Sequence, residues 1–146
     1  MDAQAGFEAA LAEAKKSGRR LWVRVAQTRT NSCFRFSFWL NEHKDVLAKD
    51  YVMFKFDNIR DLHGQELRKT LKLDRKGIPC HAIYDGDGKE LINSVGPQGN
   101  IGCPVSDPKY SIDPVTTRHF RKMLETTAQK ITAAEIDELI RSLDRE

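Results

Sequence analysis

One short stretch of the chain combines residue types and spacing that could support thiol chemistry. An apolar segment, residues 21–27, runs into a polar turn that ends at Cys33, and an aromatic helical pattern follows. A cysteine in the first turn of a helix lies near unpaired amides and the positive end of the helix dipole, which both favour a thiolate. Cys33 is therefore the candidate reactive thiol, with Arg29 and Arg35 close in sequence.

The other cysteines indicate no disulfide framework. Cys80 and Cys103 bring the count to three, with no Cys-x-x-Cys pair and no zinc-ligand spacing with histidine, so we predict neither a metal nor a cofactor. Cys80 directly follows Pro79 and is interpreted as a small buried strand residue. Cys103 lies between Gly and Pro and is expected to be the most exposed thiol. The four histidines follow no catalytic spacing and receive no role.

The composition limits which classes of protein this chain can belong to and which binding partners are expected. The 146 residues suffice for one domain, and 40% of them are hydrophobic while 31% are charged. No apolar run is long enough to span a bilayer. The net charge is only +3, with both signs interleaved, which does not favour nucleic-acid binding. The first residues lack a signal-peptide pattern, so we expect a cytoplasmic protein or a trimmed extracytoplasmic domain.

Periodicity predicts alternating helices and strands. The helical patterns cover residues 4–17, 33–47 with a bend near 41–43, and 65–72, and the strand patterns cover 21–27, 51–57, 80–84 and 90–95. A glycine-rich turn, residues 85–89, joins the last two strands as an antiparallel hairpin. The alternation predicts an α/β fold, a central mixed sheet flanked by helices.

The remainder of the chain adds a long loop and two helices. Residues 96–113 are rich in Gly and Pro, and Asp113-Pro114 can begin a helix. Thr132 and Glu135 have capping-box spacing before a second apolar helical pattern. We predict one domain over residues 1–146, with a core at about 7–95, a loop at 96–113 and two extra C-terminal helices at 114–144.

Several of these features together resemble the thioredoxin-like superfamily over about residues 7–95. Leu21 to Ala26 resemble its first core strand, and Gly77-Ile78-Pro79 fall where it carries a cis-proline that faces the active-site turn. In this register Cys33 stands at the resolving cysteine. The resemblance also implies that the loop of Pro79 abuts the helix of Cys33, so the alternative to a buried Cys80 is one that approaches Cys33. Thr30 stands at the nucleophilic cysteine and Arg29 at the neighbouring tryptophan.

The same register shows a degenerate site. Thr30 replaces the attacking thiol, Arg29 replaces the aromatic shield, and Arg24 replaces a buried carboxylate that many members carry. Dithiol exchange needs one thiolate to form the mixed disulfide and a second thiol to resolve it. This turn offers only one, so we predict no dithiol–disulfide oxidoreductase activity.

Two functions remain open from the resemblance. One is binding of a protein or peptide segment at the cis-proline edge, with Arg29, Ile78 and Cys80 as contacts. The other is monothiol chemistry, in which Cys33 forms a mixed disulfide with glutathione or a protein thiol. Against it, the family's resolving position is buried, which would leave Cys33 as an inert packing residue.

Two further interpretations follow from smaller features. The turn is similar to the Thr-x-x-Cys of peroxiredoxins, but the proline that precedes it there is absent, so we do not predict a peroxidase. The C-terminal helices, which exceed the family core, suggest an accessory domain that docks to a larger enzyme through residues 113–146. Four aromatic residues, Phe34, Phe36, Phe38 and Trp39, cover more than one face of their helix. Core packing explains most of them, and some aromatic surface is left for a peptide groove or a partner domain.

Overall fold

The computed structural model describes residues 1–27, 31–74, 77–107, 109 and 111–144, with only the backbone described for residues 31–33. Six helices and six strands are formed by these residues. The helices are α1 (Ala3–Ser17), α2 (Asn31–Glu42), α3 (Lys44–Leu47), α4 (Gly64–Thr70), α5 (Pro114–Thr127) and α6 (Ala133–Arg141). The strands are β1 (Arg20–Ala26), β2 (Tyr51–Asp57), β3 (Cys80–Tyr84), β4 (Glu90–Asn93), β5 (Val95–Gly96) and β6 (Gly99–Asn100).

The main sheet is mixed, as the alternation of elements predicts. Its strand order is β2-β1-β3-β4, with β1 parallel to β2 and antiparallel to β3, and β3 antiparallel to β4. β1 is central and buried along nearly its whole length. The long helix predicted for residues 33–47 bends where expected, because α2 ends at Glu42 and α3 begins at Lys44. The α/β fold prediction is confirmed.

Alternate residues of β1 enter two separate cores. Leu21, Val23 and Val25 pack with Leu67 and Leu73 on the face that carries α1 and α4. Trp22, on the opposite face, packs with α2, α5 and α6. Since side chains alternate across a strand, Arg24 points to the same face as Trp22, towards α2.

The two C-terminal helices belong to the second core. Phe120, Met123 and Leu139 are buried in it, and the Trp39 indole N–H donates to Ser142 Oγ at 2.8 Å. The capping box of Thr132 forms as predicted. The apolar faces of α5 and α6 are thus filled by the domain itself, which removes the motivation for treating them as a docking element.

The first residues of the segment predicted as a loop, residues 96–113, form regular structure instead. Strand β4 stops at Asn93, and β5 and β6 form a small antiparallel hairpin in which Val95 pairs with Asn100. Ser94 interrupts the predicted strand but keeps a bond to β3, with its N–H donating to the His81 carbonyl at 2.7 Å. Further on, Asp107 pairs with Arg35 of α2 at 3.2 Å.

Asp50 joins the sheet to the turn between α5 and α6. Its buried carboxylate accepts the backbone N–H groups of Gln129, Lys130 and Ile131 at 2.8 to 3.0 Å.

We expect Asp50→Asn to lower the free energy of unfolding by about 2 kcal/mol, because an amide lacks the charge of the carboxylate and turns one acceptor into a donor. Urea unfolding measures this. Asp45 is exposed, so Asp45→Asn serves as the control, and its free energy of unfolding should stay within about 0.5 kcal/mol of that of the parent protein. Equal losses of stability in Asp50→Asn and Asp45→Asn would contradict the conclusion that the hydrogen bonds of Asp50 stabilise this turn.

Candidate functional site

The candidate site lies where β1 ends and β3 begins. Val25 pairs with Cys80 across these antiparallel strands, so the C-terminal end of β1 and the loop that precedes β3 lie at the same end of the sheet. Arg29 and Thr30 fall outside the described residues, and what the sequence predicts of them stays a prediction. The backbone of Cys33 is in the first turn of α2, as predicted.

The loop before β3 presents an open backbone segment. The Ile78–Pro79 peptide bond is cis. Pro79 is buried and Ile78 is partly exposed. Within the described part of the chain, neither the N–H nor the C=O of Ile78 has a hydrogen-bond partner. A backbone donor and acceptor are therefore available in the loop before β3, at the end of the sheet where β1 ends.

Arg24 brings a buried positive charge under the first turns of α2. It is 8% exposed, its Nη1 donates to Ser37 Oγ at 3.1 Å, and its Cζ lies 5.3 Å from the centre of the Phe36 ring. These two residues follow Cys33 by four and three positions, so all three share one helix face. The guanidinium thus contacts the face of α2 on which position 33 lies.

His81 of β3, which pairs with Arg24 across the two strands, is a buried and neutral histidine. The Trp22 indole N–H donates to His81 Nδ1 at 3.0 Å, which leaves Nε2 to donate to the Gly102 carbonyl at 3.2 Å. Burial lowers the pKa of His81 to about 3, and the positive charge of Arg24 acts in the same direction, whereas the bond to Gly102 opposes it. His81 thus joins Trp22 and Gly102 in a buried chain of hydrogen bonds.

The two described thiols are packing residues. Cys80 is fully buried, with its Sγ 3.8 Å from the Leu73 carbonyl, on the sheet face opposite to α2. Its thiol therefore presents no contact surface, which fits the interpretation as a small buried strand residue. Cys103 is more exposed than Cys80 but packs against the second core, with its Sγ 3.9 Å from the Val105 carbonyl.

Aromatic surface remains on α2, as predicted. Phe34 and Phe38 are 59% and 67% exposed, whereas Phe36 and Trp39 are fully buried. The two exposed rings are one helical turn apart, so they lie on the same outward face. Phe34 directly follows Cys33, which places an apolar surface beside the candidate site.

Other kinds of site find little support in the described residues. Residues 1–27, 31–74, 77–107, 109 and 111–144 contain no cluster of His, Cys, Asp and Glu that could hold a metal ion. None of the helices described has the length and apolarity needed to cross a membrane. Two surface clefts, of about 350 and 680 Å³, lie between the β5–β6 turn and α5 and between α5 and α6. Neither cleft is lined by a described residue of β1, α2 or the loop before β3.

Sequence reasoning missed the polar residues that form hydrogen bonds with residues 77–79, the cis-proline loop, and with the strand that follows it. Asn100 and Ser94 bond to this loop and to β3. Nothing in the sequence marked them, because both lie in or beside a Gly- and Pro-rich stretch that is read only as a loop. The pairing of Asp107 with Arg35 was missed for the same reason.

The comparisons with known proteins agree with this architecture. Residues 2–86, more than half of the chain, match the family model described as thioredoxin-like. No curated protein matches the chain in sequence. A solved disulphide isomerase from Xylella fastidiosa Temecula1 is similar at 21% identity, over 64% of this chain and 73% of its own, with a TM-score of 0.58.

Two other solved structures show the same likeness. Thioredoxin O2 from Arabidopsis thaliana, in the oxidised state, matches at 14% identity over 88% of this chain and 92% of its own, with a TM-score of 0.56. DsbH, an oxidoreductase, matches at 17% identity over 82% of each chain, with a TM-score of 0.54. Identities this low bear on the fold alone. Family model, sheet topology and solved structures agree, and the chain therefore belongs to the thioredoxin-like family.

Proposed function

We propose that this domain binds an extended segment of another protein at its cis-proline loop and has no dithiol exchange activity of its own. The observation that carries the proposal is the open backbone of Ile78, whose N–H and C=O find no partner among the described residues. An extended segment can satisfy both groups by pairing as a short strand.

The surroundings of Ile78 support this mode of binding. β3 begins two residues later and is held in the sheet, so the loop is anchored at that end. Main-chain hydrogen bonds supply affinity in such complexes, while alternate side chains of the segment supply specificity. The exposed ring of Phe34 offers an apolar contact to one of these side chains.

The absence of dithiol exchange follows from the residues at the turn. A substrate disulfide must be attacked by one thiolate and the mixed disulfide must be resolved by another thiol. Thr30 has a hydroxyl at the attacking position, which leaves Cys33 without a partner of the required spacing. The cis-proline loop, which would present a substrate to this turn, is nevertheless retained in this chain.

A peptide selection tests the binding proposal. Heptapeptides selected from a random phage-displayed library should bind the reduced protein, and the Ile78 amide resonance should shift on titration. Each selected peptide is then N-methylated at one backbone nitrogen at a time. Methylation at the residue that pairs with Ile78 should weaken binding by about tenfold, because it removes a hydrogen bond and adds a clash.

The neighbouring positions of the same peptide are the control. In an extended segment the next N–H points away from the loop, so methylation there should have little effect. Selected peptides that shift only resonances of α5 and α6, or whose affinity is insensitive to N-methylation at every position, would refute binding at the cis-proline loop.

A second candidate function, monothiol exchange at Cys33, is favoured by the position of Arg24. In this reaction the Cys33 thiolate attacks one sulfur of glutathione disulfide, forms the mixed disulfide and releases the other glutathione as a thiolate, which takes up a proton. A second external thiol then resolves the mixed disulfide. The buried guanidinium on the helix face of position 33 would stabilise the attacking thiolate.

A further inference from the structure

A hydrogen-bond network ties the cis-proline loop to the β5–β6 hairpin. Asn100 Nδ2 donates to the Pro79 carbonyl at 3.0 Å. Its Oδ1 accepts from the Ser94 hydroxyl at 2.6 Å and from the Gly102 N–H at 3.3 Å. Both ends of the Asn100 carboxamide are therefore occupied, one by the loop and the other by the hairpin and the residues beside it.

The orientation of the carboxamide is set by its partners. Ser94 is fully buried, and its Oγ accepts the His81 N–H at 3.0 Å, which leaves its own proton for Asn100. Gly102 offers only a backbone donor to the same oxygen. A flipped amide would set its NH₂ group against the Gly102 N–H and its oxygen against the Pro79 carbonyl. The donor of Asn100 is thus directed at Pro79.

The hydrogen bond from Asn100 restrains Pro79, the residue that directly follows Ile78. The proline ring fixes φ near −65°, so ψ is the main torsion left to Pro79. A donor on the Pro79 carbonyl holds ψ, since that torsion sets where the carbonyl points. Ile78 is attached directly to the restrained residue, and β3 holds the other side from Cys80 onward.

We infer that Asn100 is a positioning residue for the bound segment. It holds the Pro79 carbonyl, and through it keeps the N–H and C=O of Ile78 in the orientation that pairs with an extended segment. Asn100 itself need not touch the segment, because its polar groups are already bonded within the domain. This inference rests on the proposed binding function.

Asn100→Asp isolates the bond to Pro79. The carboxylate keeps an acceptor for Ser94 and Gly102, but it has no donor for the Pro79 carbonyl. At pH 7 we expect the affinity for a peptide selected on the parent protein to fall by about tenfold. The carbonyl ¹³C resonance of Pro79 should move in the peptide-free protein as well.

Gln98→Glu is the matched control. It makes the same change of amide to carboxylate on the exposed turn of the same hairpin. Affinity and the Pro79 resonance should both stay at the parent values. Acid provides a rescue that a general loss of packing would not give. As the introduced carboxyl of Asn100→Asp becomes protonated it can donate again, so the Pro79 resonance should return towards its parent position.

The outcomes separate this inference from the proposed function. If the parent protein binds no selected peptide, the binding proposal fails, while the Pro79 resonance still decides whether Asn100 positions the loop. If Asn100→Asp binds as tightly as the parent, or leaves the Pro79 resonance unmoved, the positioning role is wrong. Should Asn100→Asp not fold, Ser94→Ala removes one partner of Oδ1 and should move the Pro79 resonance in the same direction; an unmoved resonance in that variant overturns the inference.

Discussion

Replacing Arg24 with glutamine is expected to slow alkylation of Cys33 at pH 7 by about tenfold, because the variant removes the cation that favours the thiolate. Glutamine keeps a hydrogen-bond donor in this side chain and loses the charge, but it ends two bonds short of the Nη1 atom that donates to Ser37. Reduced protein is treated with iodoacetamide over a range of pH, and each cysteine is quantified by peptide mass. In the parent protein the rate at Cys33 should reach half its maximum below the ~8.5 of an ordinary thiol.

Arg35→Gln is the control for charge. It removes a cation from α2 itself, but one whose guanidinium is paired with Asp107 at 3.2 Å. The rate at Cys33 should change less than in Arg24→Gln, and the rate at Cys103 should be the same in all three proteins. A parent protein whose Cys33 reacts only after unfolding would eliminate the monothiol candidate and leave segment binding as the function.

Arg24 also shows how much of the site the sequence could predict. Its place in a strand apolar in both phases indicated a charge that needs a partner, and the resemblance placed it where a carboxylate is usual. The structure supplies two partners, the Phe36 ring and the Ser37 hydroxyl, which lie twelve and thirteen residues away. A sequence pattern locates a buried charge through its periodicity, but the partner depends on how two elements pack.

The sheet and its helices were predictable because their signals are local. Short apolar runs, a glycine-rich turn and a capping box each report on a few consecutive residues, and several of them agreed on one order of elements. The β5–β6 hairpin was missed since two-residue strands carry no periodicity. Asn100 and Ser94 were missed with it, because their roles depend on contacts with Pro79 and His81 that only the tertiary structure brings about.

The burial of His81 predicts a strong dependence of stability on pH. Its pKa is about 3 in the folded protein, against about 6.5 for an exposed imidazole, so unfolding takes up a proton between these values. Acid therefore favours the unfolded state. Above pH 6.5 the contribution to the free energy of unfolding is complete, and it falls by about 1.4 kcal/mol per pH unit as the pH drops towards 3.

The window from pH 6.5 to 4.5 isolates this histidine. The carboxyl groups of Asp2, Asp85 and Glu135, whose pKa values are lowered mainly by hydrogen bonds, lose stability in the same direction but at lower pH. Urea unfolding followed by tryptophan fluorescence should show a loss of about 2 kcal/mol across the window in the parent protein.

His81→Gln should be less stable than the parent at pH 7, because glutamine cannot reproduce both hydrogen bonds of the ring, but its stability should be nearly flat across the window. His43→Gln, which alters a partly exposed ring, should keep the parent slope. Parallel slopes in His81→Gln and the parent would show that another group takes up the proton. The flat profile would instead establish that the Trp22–His81–Gly102 chain behind the cis-proline loop stays neutral until the domain unfolds.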